Sequence, residues 1–134
     1  MANPNLVNTN SILGGTAYQI PSATTAGLVA WTYNGTTSLT GLTPATNNIN
    51  KINCIMVSNV TASAAVATVS ISNNATWASG TPYYIAYQIS VPAGATLVIL
   101  DKTSPIYVME NQSIGVQTGT ASALNFIASF ETLS

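Results

Sequence analysis

The stretch from Tyr83 to Val91 alternates without exception: Tyr83, Ile85, Tyr87, Ile89 and Val91 fall on one side, Tyr84, Ala86, Gln88 and Ser90 on the other. A period of two places alternate side chains on opposite faces of a strand and fits no helix. Shorter runs of the same kind recur along the chain, separated by turn residues. Gly27 to Tyr33 ends in Asn34-Gly35, a strong hairpin signal, and Thr36 to Thr40 can return from it. Lys51 to Val60, Ala64 to Ser72, Thr96 to Leu100, Ile106 to Met109, Ser113 to Thr118 and a last run beginning at Leu124 complete the series. No segment holds a helical spacing. The connections are too short for the crossovers that parallel strands need. The expected fold is therefore all-β: an antiparallel two-sheet β-sandwich, jelly-roll-like, of eight or nine strands.

Residues 1–26 are rich in Asn, Thr, Ser and Gly, with Gly14-Gly15 and Pro21 breaking any period. They read as an extended N-terminal arm with one short strand near Thr16 to Ile20, and 27–134 as the sandwich domain. The expected core is Val29, Trp31, Ile52, Met56, Val69, Ile71, Ile85, Tyr87, Ile89, Leu97, Ile99, Ile106, Val108, Leu124, Phe126 and Phe130. In Lys51 to Val60, Ile52, Cys54 and Met56 share one face and Ile55 and Val57 the other, the pattern of a strand covered on both sides.

Composition bears on function mainly by subtraction. The chain has no His and no Arg, and of its 134 residues only Lys51, Asp101, Lys102, Glu110 and Glu131 carry charge. Ser, Thr and Asn together make up roughly a third of it. Nucleophilic catalysis needs a base beside the nucleophile, and two lysines with three carboxylates leave little to build one from. For glycoside hydrolysis Asp101 and Glu110, flanking one hairpin, are the natural pair, and solvated turn residues are the simpler reading. No calcium-loop or phosphate-loop spacing occurs, so no metal and no cofactor is expected. Two lysines cannot neutralise a run of phosphates or hold an anionic bilayer, which argues against nucleic acid and membrane partners. The single Cys54 cannot form an internal disulfide and reads as a small buried apolar residue. The N-terminus has no basic region followed by an apolar stretch, so synthesis in the cytoplasm is expected. Four Asn-x-Ser/Thr matches, at Asn34, Asn59, Asn74 and Asn111, are what chance gives at this composition.

Two aromatics stand apart. Trp77 lies in the turn-like stretch from Asn73 to Pro82, and Tyr84 points away from the expected core face. Such residues suit the centre of a subunit interface, or a sugar stacked on their rings. Asn3, Pro4, Leu6 and Val7, on the arm, are the other candidate interface residues.

The C-terminal half carries a recognisable succession: a strand ending in Pro92-Ala-Gly94, an apolar strand into the Asp101-Lys102 turn, an apolar strand into Glu110-Asn-Gln112, and a closing strand Phe126-Ile-Ala-Ser-Phe-Glu131. Over roughly residues 58–133 it resembles small β-sandwich virion proteins of tailed bacteriophages, including those of cyanophages. The resemblance implies a non-enzymatic virion structural protein, foremost a capsid decoration or cement protein on the assembled head, with a neck, tail or fibre component as the near alternative. Its implied partners are other virion proteins and itself, as a homo-oligomer for which a trimer is the expected arrangement. A surface of hydroxyls and amides loses little when buried, whereas desolvating unpaired charge is expensive, so composition favours the same class. A glycan-binding module, or adhesin, is the alternative of a different class.

Overall fold

The computed structural model describes residues 10–33 and 37–134. Ten strands follow in order: β1 Ile12–Gln19, β2 Ala30–Tyr33, β3 Thr37–Thr40, β4 Ile49–Asn59, β5 Ala65–Ser72, β6 Pro82–Val91, β7 Thr96–Leu100, β8 Ile106–Val108, β9 Ser113–Thr118 and β10 Leu124–Leu133. Among the described residues the helical element is one 3-10 turn, Trp77–Ser79. One sheet runs β3-β2-β1-β10-β4-β7, with β8 also pairing β4; the other runs β6-β5-β9. Every pairing is antiparallel. The fold is thus an all-β two-sheet sandwich, as the alternation predicts. The first and last strands pair while the middle strands cross between sheets, an interleaving of jelly-roll kind.

β10 is the spine of the larger sheet, paired with β1 from Ile12–Leu133 to Gln19–Phe126 and with β4 on its other side. Leu124, Phe126, Ala128 and Phe130 all point into the core. Trp31 is fully buried, and its indole N–H donates to the Ile114 carbonyl of β9 at 3.2 Å, so one side chain ties the two sheets together. Around it lie Ile52, Ile55, Val57, Val69, Val91, Ile114 and Val116. Each such side chain contributes about 1.5–3 kcal/mol by leaving water.

The structure corrects the expected arm. Residues 12–19 form a complete strand between β2 and β10, and Pro21 is buried behind it. Gly14 and Gly15 do not break that strand. Gly15 is needed in it, since a Cβ there would lie 2.6 Å from the Tyr33 ring. Residues 1–9 lie outside the described residues, as do 34–36, the expected turn of the β2–β3 hairpin; Tyr33 still pairs with Thr37 across it. This extra full strand carries the count past the expected eight or nine.

Bulges correct the expected core. Across β4 and β10, Ser129 faces Cys54 but Phe130 faces Ile52, so Asn53 is an inserted residue and the alternation changes sides. Ile52, Ile55 and Val57 are therefore all buried, and Met56 and Cys54 are only half-buried. β6 is displaced twice against β5, because Ala67 pairs with Ile89, Val69 with Ala86 and Ser70 with Tyr84. The unbroken alternation of its sequence is not an unbroken alternation in space. Ala86 and Val91 are buried, while Tyr87 is 59% and Ile89 38% exposed. Ile71, Ile85, Leu97, Ile99 and Ile106 pack against the core only partly buried, and Val29 is half-buried.

Candidate functional site

The outer face of the three-stranded sheet brings Trp77 and Tyr84 to one narrow cleft, with Thr68 and Gln117 beside them. Trp77 is held by its own chain. Ser72 Oγ donates to the Trp77 carbonyl at 3.0 Å, and the indole Nε1–H donates to Ser70 Oγ at 3.2 Å. The ring lies on two glycines. A Cβ at Gly27, whose φ is +70°, would meet the indole at 2.2 Å, and one at Gly115 would meet Nε1 at 2.8 Å. Leu28 pairs with Val116 through two main-chain hydrogen bonds, which presses Gly27 onto the ring. Trp77, expected at an interface, is thus half-buried and acts within the molecule. Trp77→Ala is expected to destabilise the fold by roughly 1–3 kcal/mol, less than for a core tryptophan, read as a lower urea midpoint at unchanged slope.

Tyr84 keeps the exposure expected of it and pairs edge-on with Tyr87, ring centroids 4.7 Å apart at 66°. Tyr87, expected in the core, joins it at the surface, as does Tyr83. Sequence alone could not place them there, because nothing in the residue types of β6 marks its two inserted positions. The backbone does: Gln88 adopts φ +49°, and its N–H turns to Thr68 Oγ1 instead of the ladder.

A larger concavity lies on the other sheet. β1 and β2 pair only at Ala17–Tyr33 and Tyr18–Thr32, and beyond these the two strands part. Pro21 is drawn to the Ser122 turn, whose N–H donates to its carbonyl at 2.7 Å, and Leu28 is drawn across to β9. The gap is a groove of about 400 Å³ lined by Tyr18, Gln19, Ile20, Pro21, Ser22, Leu28, Ala30 and Thr32. Its walls are uncharged and mix apolar side chains with the polar Gln19, Ser22 and Thr32. Gln19 is 8% exposed, and its Oε1 is buried without a hydrogen-bond partner. Pro21 was legible as a breaker; that two strands splay beyond it was not.

The acids are dispersed among structural roles. Asp101 sits in an exposed turn. The Thr103 hydroxyl, then the Thr103 N–H, hold its carboxyl below the usual carboxylate range. That contribution is present above the ordinary carboxylate pKa and is lost as pH falls through the lowered one. Glu110 is buried, and its Oε1 accepts the Asn47 N–H at 2.5 Å, where Asn47 has φ +64°. Glu131 stands opposite Lys51 across β10 and β4. Asp101 and Glu110 therefore occupy unlike surroundings, one solvated and one enclosed. Asn59, one of the four Asn-x-Ser/Thr matches, is turned inward with its amide buried. Asn3, Pro4, Leu6 and Val7 lie outside the described residues.

These features define a β-sandwich with an aromatic face on one sheet and an uncharged groove on the other. No protein family, curated protein or solved structure matches the chain.

Proposed function

We propose that the chain is a non-enzymatic structural protein of a tailed-bacteriophage particle, a decoration or cement protein on the assembled head, with a neck, tail or fibre position as the alternative within that class. One observation carries the reading. Among the described residues twelve large hydrophobics are exposed, among them Ile12, Leu13, Ile20, Tyr83, Tyr84, Tyr87 and Val98, on a chain with five charged residues in all. Exposed apolar surface on so nearly chargeless a chain suits burial against neighbours, and each Å² of it removed from water stabilises an assembly by roughly 25 cal/mol. The resemblance over residues 58–133 supplies the kind of assembly. Self-association into a homo-oligomer, a trimer in this reading, accompanies it.

Quantifying the polypeptide in purified particles tests this. A fixed stoichiometry matching capsomers, tail rings or fibres is expected; absence from particles would sink the reading. The truncation that probes the N-terminus must spare β1. Deleting residues 2–9 is expected to leave the melting temperature nearly unchanged and to lower incorporation at least tenfold. Removing 2–26 would take an interior strand with it.

A second reading, glycan binding, has one feature in its favour: three exposed tyrosines beside Gln88 offer ring faces and an amide to a sugar. Saturable signals on a glycan array, abolished by Tyr84→Ala or Tyr87→Ala, would establish it. Because Trp77 supports the fold, its replacement cannot decide the question.

A further inference from the structure

We propose that the groove between β1 and β2 is occupied by residues 5–8, Asn-Leu-Val-Asn, of a second copy of the chain. The inference rests on the assembly reading above and names its partner and contact. Three observations carry it: the chemistry of the groove, the reach of the chain, and the orphaned acceptor at its wall.

The walls set Tyr18, Ile20, Pro21, Leu28 and Ala30 beside the polar Gln19, Ser22 and Thr32, with no charged group among them. An occupant must therefore be uncharged and offer both apolar side chains and amide groups. Leu6-Val7 flanked by asparagines is such a segment. The groove exists because two strands part, so its sides are strand-like main chain, and an extended segment is the shape that fits between them. Its volume of about 400 Å³ falls in the range of sites that enclose a few groups, roughly 300–1,000 Å³.

The reach of the chain excludes the same molecule's own segment. Asn10 and Ser11 are tied to Ser134 at the far end of β1: both N–H groups donate to the Ser134 carbonyl, at 2.7 and 3.3 Å. From Asn10 to Ile20 the extended chain covers about 33 Å. Leu6 lies four residues before Asn10 and can travel at most about 14 Å from it. It falls well short of its own groove, and only a neighbour's copy can fill it.

The third observation concerns Gln19. A buried acceptor left without a donor destabilises by about 1–3 kcal/mol. Gln19 lines the groove, and its Oε1 is such an acceptor. Turned toward the groove, the amide would accept from a main-chain N–H or an asparagine amide of the entering segment.

The test uses two full-length chains in a Cys54→Ser background, one carrying Leu6→Cys and the other, with a mass tag, carrying Ala30→Cys. Ala30 is exposed, so the change is compatible with folding. Mixed and mildly oxidised, they should give a mixed disulfide-linked dimer on a non-reducing gel. Adding Val7→Asp to the first chain should cut that product at least tenfold while its thermal melt stays unchanged. The same substitution should lower the mass of the multimer seen by light scattering. No mixed product, or multimers indifferent to Val7→Asp, would overturn the proposal, as would a co-purified sugar or apolar small molecule found filling the groove. The two readings fail separately. Cross-linking with no polypeptide in purified particles removes the virion assignment alone; particles containing the chain at fixed stoichiometry with no cross-link remove the groove contact alone.

Discussion

Replacing Trp31 by alanine is expected to lower the melting temperature by roughly 10–20 °C, the largest effect of any single side chain here. The residue is fully buried and is the bulkiest side chain in the core. Truncating a buried Trp typically destabilises by about 3–5 kcal/mol, the sum of lost transfer energy and a cavity that neighbours fill incompletely. Its N–H also satisfies the Ile114 carbonyl on the opposite sheet, which the truncation leaves without that donor. Trp31→Phe separates the contributions. It restores much of the volume and none of the hydrogen bond, so it should recover more than half of the loss in a denaturation series. A Phe variant no better than Ala would mean that the bond between sheets, and not the packing, dominates.

Asn59→Ala is expected to destabilise by about 2–4 kcal/mol, unusual for removing so few atoms. Asn59 ends β4, and its amide is almost fully buried. Nδ2 donates to the Ser63 carbonyl at 2.8 Å and to the Val91 carbonyl at 2.9 Å, while Oδ1 accepts from the Thr61 N–H at 2.9 Å and the Thr61 hydroxyl at 2.7 Å. Both donors and both acceptor sites are used, so one side chain shapes the 60–64 turn and joins the larger sheet to β6. Alanine removes four hydrogen bonds at once, of which the one to the Val91 carbonyl lies inside the sandwich. Hydrogen exchange should rise first at Thr61. Asn59→Asp should be worse at neutral pH, since a carboxylate would face two carbonyl oxygens. Its deficit should shrink on acidification, when the protonated carboxyl can donate again.

The strands were legible because their alternation is local. Thr96–Leu100 and Ser113–Thr118 have the boundaries expected of them, and the strands flanking Asn34-Gly35 pair as a hairpin, though with Tyr33 opposite Thr37 and not opposite Thr36 as a two-residue turn requires. Three things were not legible. Asn53 carries no mark of an inserted residue, yet it decides that Ile55 and Val57, and not Met56, face inward; a bulge is fixed by the strand opposite. The polar composition of residues 12–19 looked like an arm because its partner, β10, lies more than a hundred residues away. Trp77 looked like a surface anchor because the glycines that make room for it, Gly27 and Gly115, come from two other segments of the chain. For the candidate sites, the period of two put Tyr84 outside the core, where it lies, and the groove beside β1 was invisible, since it arises from where two strands cease to touch.

β6 has consequences for the chain at high concentration. A nearly chargeless polypeptide with an open sheet margin would ordinarily risk adding strand to strand into fibrils, with no electrostatic repulsion to stop it. Here that margin is crooked at two places, and at Gln88 the backbone leaves the extended region altogether. A straight incoming strand can find only short stretches in step with it, so growth in that direction halts. The same crookedness that turns the tyrosines outward denies them a regular template on which further strands could stack.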